Sequence, residues 1–177
     1  LFPKTEVPKK FLIEADKVLD GYFAIQTALA KDLPDEAKSA AVAANESLSS
    51  LPTESLDRSS KQVWAELASR FGSELEAIAE SKDVATTRER FWELTKIGEE
   101  WVRRFGTAHL PVYNMSCPMA FEDKKNREAN WLQNGEQLMN PYMGLRMQQC
   151  GTLEEQIIEA KPIELAACLL YTSDAAD

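Results

Sequence analysis

Four apolar stripes with helical spacing constrain the fold of this 177-residue chain more than any other feature. Glycine and proline are sparse between Pro8 and Phe105, so this region lacks the frequent turns that a β sandwich needs. Within it, apolar residues recur at alternating steps of four and three, which places each set on one face of a helix. The stripes are Phe11, Ala15, Val18, Tyr22, Ile25 and Leu29; Ala37, Ala41, Ala44, Leu48 and Leu51; Trp64, Leu67, Phe71, Leu75 and Ile78; and Phe91, Leu94, Gly98, Trp101 and Phe105.

Short polar turns separate the four stripes, as in an antiparallel helix bundle. Pro34 suits the first turn of the second helix, Asp83 suits the N-cap of the fourth, and Gly106 suits its C-terminal stop. We therefore predict an all-α fold, with an antiparallel four-helix bundle over residues 9–106. Tyr22, Phe71, Phe91 and Trp101 are expected to be buried in it.

The charge balance excludes one class of partner. The chain has 20 Lys and Arg residues against 29 Asp and Glu residues, a net charge of −9 with a sequence pI of about 4.8. Such acidity argues against nucleic acid as a partner.

The sequence also has no apolar run near the roughly 18 residues of a membrane span, so this fragment is not expected to insert into a membrane. Residues 1–8, with prolines at positions 3 and 8, are expected to be a linker from an upstream domain.

Residues 107–152 have a composition of their own. The helical period stops after Gly106, and all five methionines and two of the three cysteines then occur between Met115 and Cys150. Thioethers and thiolates are soft ligands that suit Cu(I) or Ag(I), whereas Zn(II) normally has more Cys or His and Ca(II) has oxygen ligands. We therefore predict a site for Cu(I), Ag(I) or another soft metal, and no organic cofactor.

Two short elements carry the candidate ligands. Cys117-Pro118-Met119 offers two sulfurs on one rigid turn, because proline fixes its φ angle. Met147 and Cys150 are three residues apart, so a helical turn places them on one face. The predicted metal ligands are Cys117, Met119, Met143, Met147 and Cys150.

Other residues of the segment have simpler explanations. Met115 and Met139 are expected to fill gaps in the packing, and Trp131 and Tyr142 to hold the segment against the helices. His109 is either a further ligand, a residue that interacts with the nearby helix C-terminus, or a surface residue.

Several motifs together resemble a known domain. They are VYNMSCPMAF, ANWLQ and MNPYMGLRMQQCG, with YFAIQTALAKD and RERFWELTKIGEEWVRRFG before them. This ordered series resembles the C-terminal helical domain of unknown function found on periplasmic adaptor subunits of resistance-nodulation-division heavy-metal efflux pumps. The resemblance implies a helical domain in the periplasm, with other efflux subunits as partners and a role in binding copper or silver. Many members place His before the CPM cysteine, but this chain has Ser116.

The cysteines leave an alternative open. In an oxidising compartment, Cys117 and Cys150 could form a structural disulfide that stabilises by about 3 to 4 kcal/mol, and the bundle would then be a protein–protein docking module. An enzyme with a cysteine nucleophile and His109 as base would also need an orienting group and an oxyanion site. Neither forms a recognisable motif, so no catalytic residue is predicted.

Residues 153–177 are expected to be a tail. Its last part, CLLYTSDAAD over residues 168–177, resembles a translated sequencing-adapter artefact. On that interpretation Cys168 is not a native residue, and Cys117 and Cys150 are the native cysteines.

Overall fold

The structure is a computed structural model that describes residues 2–121 and 129–159. Its first part is the predicted set of four helices: α1 (Lys9–Ala30), α2 (Pro34–Ser49), α3 (Arg58–Ala79) and α4 (Val84–Phe105). A single 3₁₀ turn, Thr53–Ser55, lies between α2 and α3. The predicted helical content of residues 9–106 is confirmed.

The helix ends follow from local chemistry. Pro34 occupies the first turn of α2, and the Asp83 side chain accepts a hydrogen bond of 2.8 Å from the Thr86 amide at the start of α4. Both were expected from the sequence. Asp57 caps α3 in the same way, by accepting from the Ser60 amide at 2.8 Å. Gly106 ends α4 with a φ of 76°, a conformation that favours glycine.

Aromatic side chains form the centre of the bundle. Trp101 contacts Trp64 and Phe71 edge-on, with ring centroids 4.7 and 5.1 Å apart, and Tyr22 stacks on Phe91 at 5.0 Å. Tyr22, Phe71, Phe91 and Trp101 are fully buried, as predicted. Because such rings bury large apolar areas and favour edge-to-face contact, they fix how the helices pack.

Helices α1 and α2 approach closely where both carry small residues. A Cβ atom added at Gly21 would lie 2.6 Å from the Cβ of Ala44, well inside van der Waals contact. Alanines 37, 41 and 44 are buried along the same face of α2. The small residues of the second stripe thus allow α2 to pack closely against α1.

The all-α prediction is wrong, because the chain after α4 forms a sheet. Strands β1 (Val112–Ser116), β2 (Asn130–Gln133) and β3 (Thr152–Ile158) pair antiparallel in the order β2-β1-β3. The protein is therefore a mixed α and β fold, with four helices followed by a three-stranded sheet. The segment that we expected to be irregular contributes β1, β2 and the start of β3.

The predicted tail overlaps this sheet. β3 begins at Thr152 and ends at Ile158, so residues 153–158 belong to the fold. Residues 160–177, and with them the suspected artefact 168–177 and Cys168, lie outside the described residues. Within residues 2–121 and 129–159, none of the helices combines the length and the apolarity that crossing a membrane would require.

Candidate functional site

Cys117 is positioned by the end of the central strand. It directly follows β1, and its amide donates a 3.2 Å hydrogen bond to the carbonyl of Ala129, just before β2. The pairing of β1 with β2 therefore continues to the cysteine. The residue is only 2% exposed.

Cys150 reaches the same place from a different element. A 3₁₀ turn (Gly144–Met147) precedes it, and its amide donates to the Met147 carbonyl at 3.0 Å. Two residues later, Thr152 pairs with Ser116 in the β1–β3 ladder. The ladder thus ends with Cys117 and Cys150 side by side.

The two cysteine sulfurs lie 3.2 Å apart, although the residues are 33 positions apart in sequence. This distance exceeds the roughly 2.05 Å of a disulfide bond, so both side chains are thiols. Cys117 is buried and Cys150 is partly exposed. Cys150 is therefore the more accessible residue of the pair, and Cys117 is the more shielded one.

Gly151 makes this approach sterically possible. Its φ is 143°, and a Cβ atom added there would lie 2.5 Å from the Ser116 carbonyl oxygen and 2.9 Å from the Trp131 ring. A side chain would collide with both. Gly151 thus allows the chain to pass close to the end of β1 as it continues from Cys150 into β3.

The three predicted methionine ligands share a concavity next to this region. Met119, Met143 and Met147 line a cavity of about 640 Å³. Its other lining residues are Ala120, Phe121, Tyr142 and Arg146. Met119 is 42% exposed, and the other two methionines are half-buried. We call this surface the methionine concavity.

The structure therefore divides the predicted ligands into two groups. Cys117 and Cys150 form a thiol pair, and neither is among the described residues that line the methionine concavity. Met119 is two residues after Cys117, and the Met147 carbonyl accepts from the Cys150 amide. Each thiol is thus linked through a short stretch of backbone to a thioether of the concavity.

The remaining sulfur and aromatic residues of the segment serve packing. Met115 is fully buried and lies opposite Trp131 in the β1–β2 ladder, and Met139 is half-buried. Trp131 is also fully buried and donates from Nε1 to Gln133 at 2.9 Å. Its ring lies 6.2 Å from that of Tyr142, so the two rings hold the loop against the sheet.

The structure does not bring His109 to the thiols. Its Nδ1 lies 2.9 Å from a carboxylate oxygen of Asp16, a residue of α1 that is 1% exposed. The same carboxylate accepts from the Ala108 amide at 3.1 Å. Burial raises the pKa of Asp16 above its ordinary value, and the bonds from Ala108 and His109 oppose that rise. β1, about 13 Å long, stands between His109 and Cys117.

An ion pair that is not visible in the sequence anchors the methionine-bearing loop. Arg88 contacts Asp32 at 2.6 Å, and its Nε donates to the Pro141 carbonyl at 2.7 Å. Asp32 also accepts from the Leu145 amide at 3.0 Å. The hydrogen bond from Arg88 holds the pKa of Asp32 below its usual value. A Cβ atom at Gly144 would collide with the Asp32 carboxylate, and the φ of Gly144 is positive, so this contact needs glycine.

The comparisons with known proteins identify the helical part. A family model described as "Protein of unknown function (DUF3347)" matches residues 18–109, more than half of the chain. The chain belongs to the DUF3347 family. No curated protein and no solved structure matches it.

The DUF3347 match begins inside α1 and ends at His109, so it stops before the thiol pair. Its description gives no activity and no link to efflux adaptors. Among the described residues of this DUF3347 protein, no group of three or more His, Cys, Asp or Glu side chains could hold a metal ion.

Proposed function

We propose that this DUF3347 protein binds a soft monovalent cation, Cu(I) or Ag(I), at the thiol pair. Cys117 and Cys150 are the principal ligands, and Met119, Met143 and Met147 are the candidates for further ligands. The observation that carries the proposal is the 3.2 Å separation of the two cysteine sulfurs. Two thiols this close can contact one ion after only a small movement.

The size of that movement follows from simple geometry. Thiolate sulfurs bind a metal ion such as zinc at about 2.3 Å, and two of them at a tetrahedral angle are roughly 3.8 Å apart. For this tetrahedral geometry the sulfurs would have to separate by about half an ångström from the observed 3.2 Å, and for a linear one they would have to reach roughly 4.6 Å, twice the bond length. Because Cys150 is partly exposed, a rotation of its side chain can supply this.

The two kinds of sulfur would contribute differently. Thiols must lose their protons to act as ligands, so binding at Cys117 and Cys150 releases protons and weakens at low pH. Thioethers carry no titratable proton, so their contribution does not change with pH. Met119 is exposed, and Met143 and Met147 are half-buried, so an ion that arrives from solvent can reach the concavity that they line.

We place this activity in an efflux adaptor of the periplasm, with other subunits of the efflux complex as partners. The support is the resemblance of the CPM, WLQ, NPY and MxxCG motifs described above. The net charge of −9 would raise the local concentration of cations, but that attraction is general and screened by salt. Selectivity would come from sulfur. Neither catalysis, nor nucleic acid, nor insertion into a membrane is part of the proposal.

A second candidate function draws on the same distance. Sulfurs at 3.2 Å are also close to the geometry of a disulfide, which would staple β1 to the start of β3. The domain would then be a docking module that is stabilised by a cross-link. This alternative needs the cysteines but gives the methionine concavity no role.

Titration with Ag(I) by calorimetry separates the two candidates. The reduced wild type should bind Ag(I) and release protons, and the double variant Met119→Leu, Met147→Leu should bind at least about tenfold more weakly. Leucine conserves volume and apolarity, so folding should be almost unchanged. Met139→Leu is the matched control, because Met139 does not line the concavity and should leave affinity unchanged.

Two results would count against the metal site. Equal affinities of the wild type and the double variant would remove Met119 and Met147 as ligands. No binding by the reduced wild type would remove the proposed function and favour the docking module.

A further inference from the structure

Asn140 lies at the centre of the loop that carries the methionines and Cys150. It is fully buried and is followed by Pro141, in the turn between β2 and the 3₁₀ segment. Its backbone amide donates to the Gln148 carbonyl at 2.7 Å, and its carbonyl accepts from the Gly144 amide at 3.2 Å. The backbone of Asn140 is therefore hydrogen-bonded to the middle of the loop, at Gly144, and to its end, at Gln148.

The Asn140 side chain spans the same loop in a second way. Its Nδ2 donates to the Cys150 carbonyl at 2.7 Å. Its Oδ1 accepts from the amides of Tyr142 at 2.9 Å and Met143 at 3.0 Å. One end of the amide thus holds the residue with the partly exposed thiol, and the other end holds a methionine of the concavity.

We propose that Asn140 is a positioning residue, whose buried amide fixes the Cys150 thiol relative to both Cys117 and the methionine concavity. It contributes no ligand atom. Its effect on metal binding rests on the proposed function, whereas its effect on the approach of the two thiols does not. Without this donor the partly buried Cys150 carbonyl loses the hydrogen bond that ties it to Asn140, so the loop would rearrange around Cys150.

Other contacts hold the outside of the loop rather than the cysteine. The Leu145 amide bonds to Asp32, and the Gln148 side chain donates to the Ala30 carbonyl at 2.8 Å. Both attach the loop to the end of α1. The Asn140 amide acts inside the loop, on the carbonyl of Cys150 itself.

The variant Asn140→Asp isolates the contact with Cys150. Aspartate has the same shape and keeps an oxygen that can accept from Tyr142 and Met143. When the carboxyl is ionised, its second oxygen replaces the donor and faces the Cys150 carbonyl, so two acceptors oppose each other; the measurements are therefore made at a pH high enough to keep it ionised. The amides of Tyr142 and Met143 keep their acceptor, while the Cys150 carbonyl loses its hydrogen-bond donor.

The first readout is the reduction potential of the thiol pair, which involves no metal. The full chain with Cys168→Ser is equilibrated with oxidised and reduced glutathione. Cys117 and Cys150 together lose two electrons and two protons to form one disulfide, and one oxidised glutathione becomes two reduced glutathiones. We expect Asn140→Asp to lower the equilibrium constant for disulfide formation about tenfold, a rise in potential of about 30 mV.

The second readout is the affinity of the same reduced chain for Ag(I). Residues that orient metal ligands typically change affinity by about 10- to 100-fold when they are replaced, and we expect a loss in that range. Asp57→Ala is the control, because it removes the cap of α3 and destabilises the fold at the opposite end of the bundle. That variant should leave both the potential and the affinity unchanged.

The outcomes separate this inference from the proposed function. A shifted potential in a chain that binds no Ag(I) would support the positioning role and reject the metal site. An unchanged potential in a folded Asn140→Asp variant would overturn the positioning role, whatever the metal affinity.

If circular dichroism shows that Asn140→Asp does not fold, Asn140→Ser gives the decision. The serine hydroxyl can cap the turn but is too short to reach the Cys150 carbonyl. A shift in potential like that expected for aspartate supports the inference, and a wild-type potential overturns it. If neither variant folds, Asn140 serves the stability of the fold as a whole and the inference fails.

Discussion

Gly151 controls how closely Cys117 and Cys150 approach, because it joins Cys150 to β3 at the point where the loop crosses the end of β1. Its φ of 143° and its contacts with Ser116 and Trp131 leave no room for a side chain. The distance between the sulfurs therefore depends on a residue that carries no sulfur. In the sequence, this glycine indicates only a turn.

Replacing Gly151 by alanine should destabilise the fold by about 1 to 3 kcal/mol, because the new Cβ collides with backbone and ring atoms at an unfavourable φ. Urea unfolding measures this loss. Gly135→Ala is the matched control, since nothing lies within 4 Å of a Cβ atom there. Equal stabilities of the two variants would show that the close approach at Gly151 is not required.

The candidate ligands could be proposed from residue chemistry alone, but their arrangement in the fold could not be predicted. Five methionines and two cysteines within a short segment indicated soft-metal chemistry. The positions of Cys117 and Cys150 depend on strand register, which is set by pairing with distant residues. His109 illustrates the same limit, since its partner Asp16 lies 93 residues earlier in the chain.

At the scale of elements, the ends of α1 and α4 hold the loop of residues 139–150. Arg88 of α4 binds both Asp32, just after α1, and the Pro141 carbonyl. The side chain of Gln26 donates to the Met139 carbonyl from within α1. The helical part and the sulfur-bearing loop are therefore joined by polar contacts as well as by packing.

The Asp32–Arg88 pair should make part of the stability depend on pH. The pKa of Asp32 is lowered in the folded chain, mainly by its hydrogen bond from Arg88. A lowered folded pKa gives stability that is present above the unfolded value of 3.8 and is lost as the pH falls through the folded value. Asp32→Asn should therefore be less stable than the wild type at pH 6, and the difference should shrink below about pH 4.

Chemical unfolding of both chains at several pH values checks this. Asp35→Asn is the control, because Asp35 lies on the exposed first turn of α2 and takes no part in the Asp32–Arg88 ion pair. A difference between the wild type and Asp32→Asn that stays constant from pH 6 to pH 3 would contradict the role of the ion pair.

The helices were predictable and the strands were not, for a physical reason. Amphipathic helices repeat their pattern over many turns, and Asp83 and Gly106 mark their ends. β1 is buried on both faces over most of its length, and β3 is exposed over most of its length. Neither shows the alternation of apolar and polar residues that identifies a half-buried strand.

At the scale of the whole molecule, the sheet and the bundle share one core. The hydroxyl of Tyr22 in α1 bonds to Thr95 of α4 at 2.7 Å and accepts from the Leu132 amide of β2 at 3.1 Å. Burial raises the pKa of this tyrosine far above its usual value, so the group stays neutral. Tyr22 and Thr95 lie within the DUF3347 match and Leu132 lies beyond it. The matched helices therefore support the sheet that carries the thiol pair.

The sheet and the loop, which both pack on the helices, hold the two cysteines of the proposed site in place. Cys117 follows a central strand, and Cys150 is held from within its loop by Asn140. Preorganised ligands lose less freedom when they bind an ion. On this account the helices position the sulfur ligands and do not themselves bind the metal.

X-ray absorption at the copper edge tests the central claim most directly. The reduced full chain is loaded with one equivalent of Cu(I), alongside the variant Cys117→Ser, Cys150→Ser. We expect the copper of the wild type to be surrounded by sulfur, and the variant to lose affinity along with most of that sulfur signal. A wild-type shell dominated by oxygen or nitrogen, or a shell that is identical in the two chains, would contradict metal binding at the thiol pair.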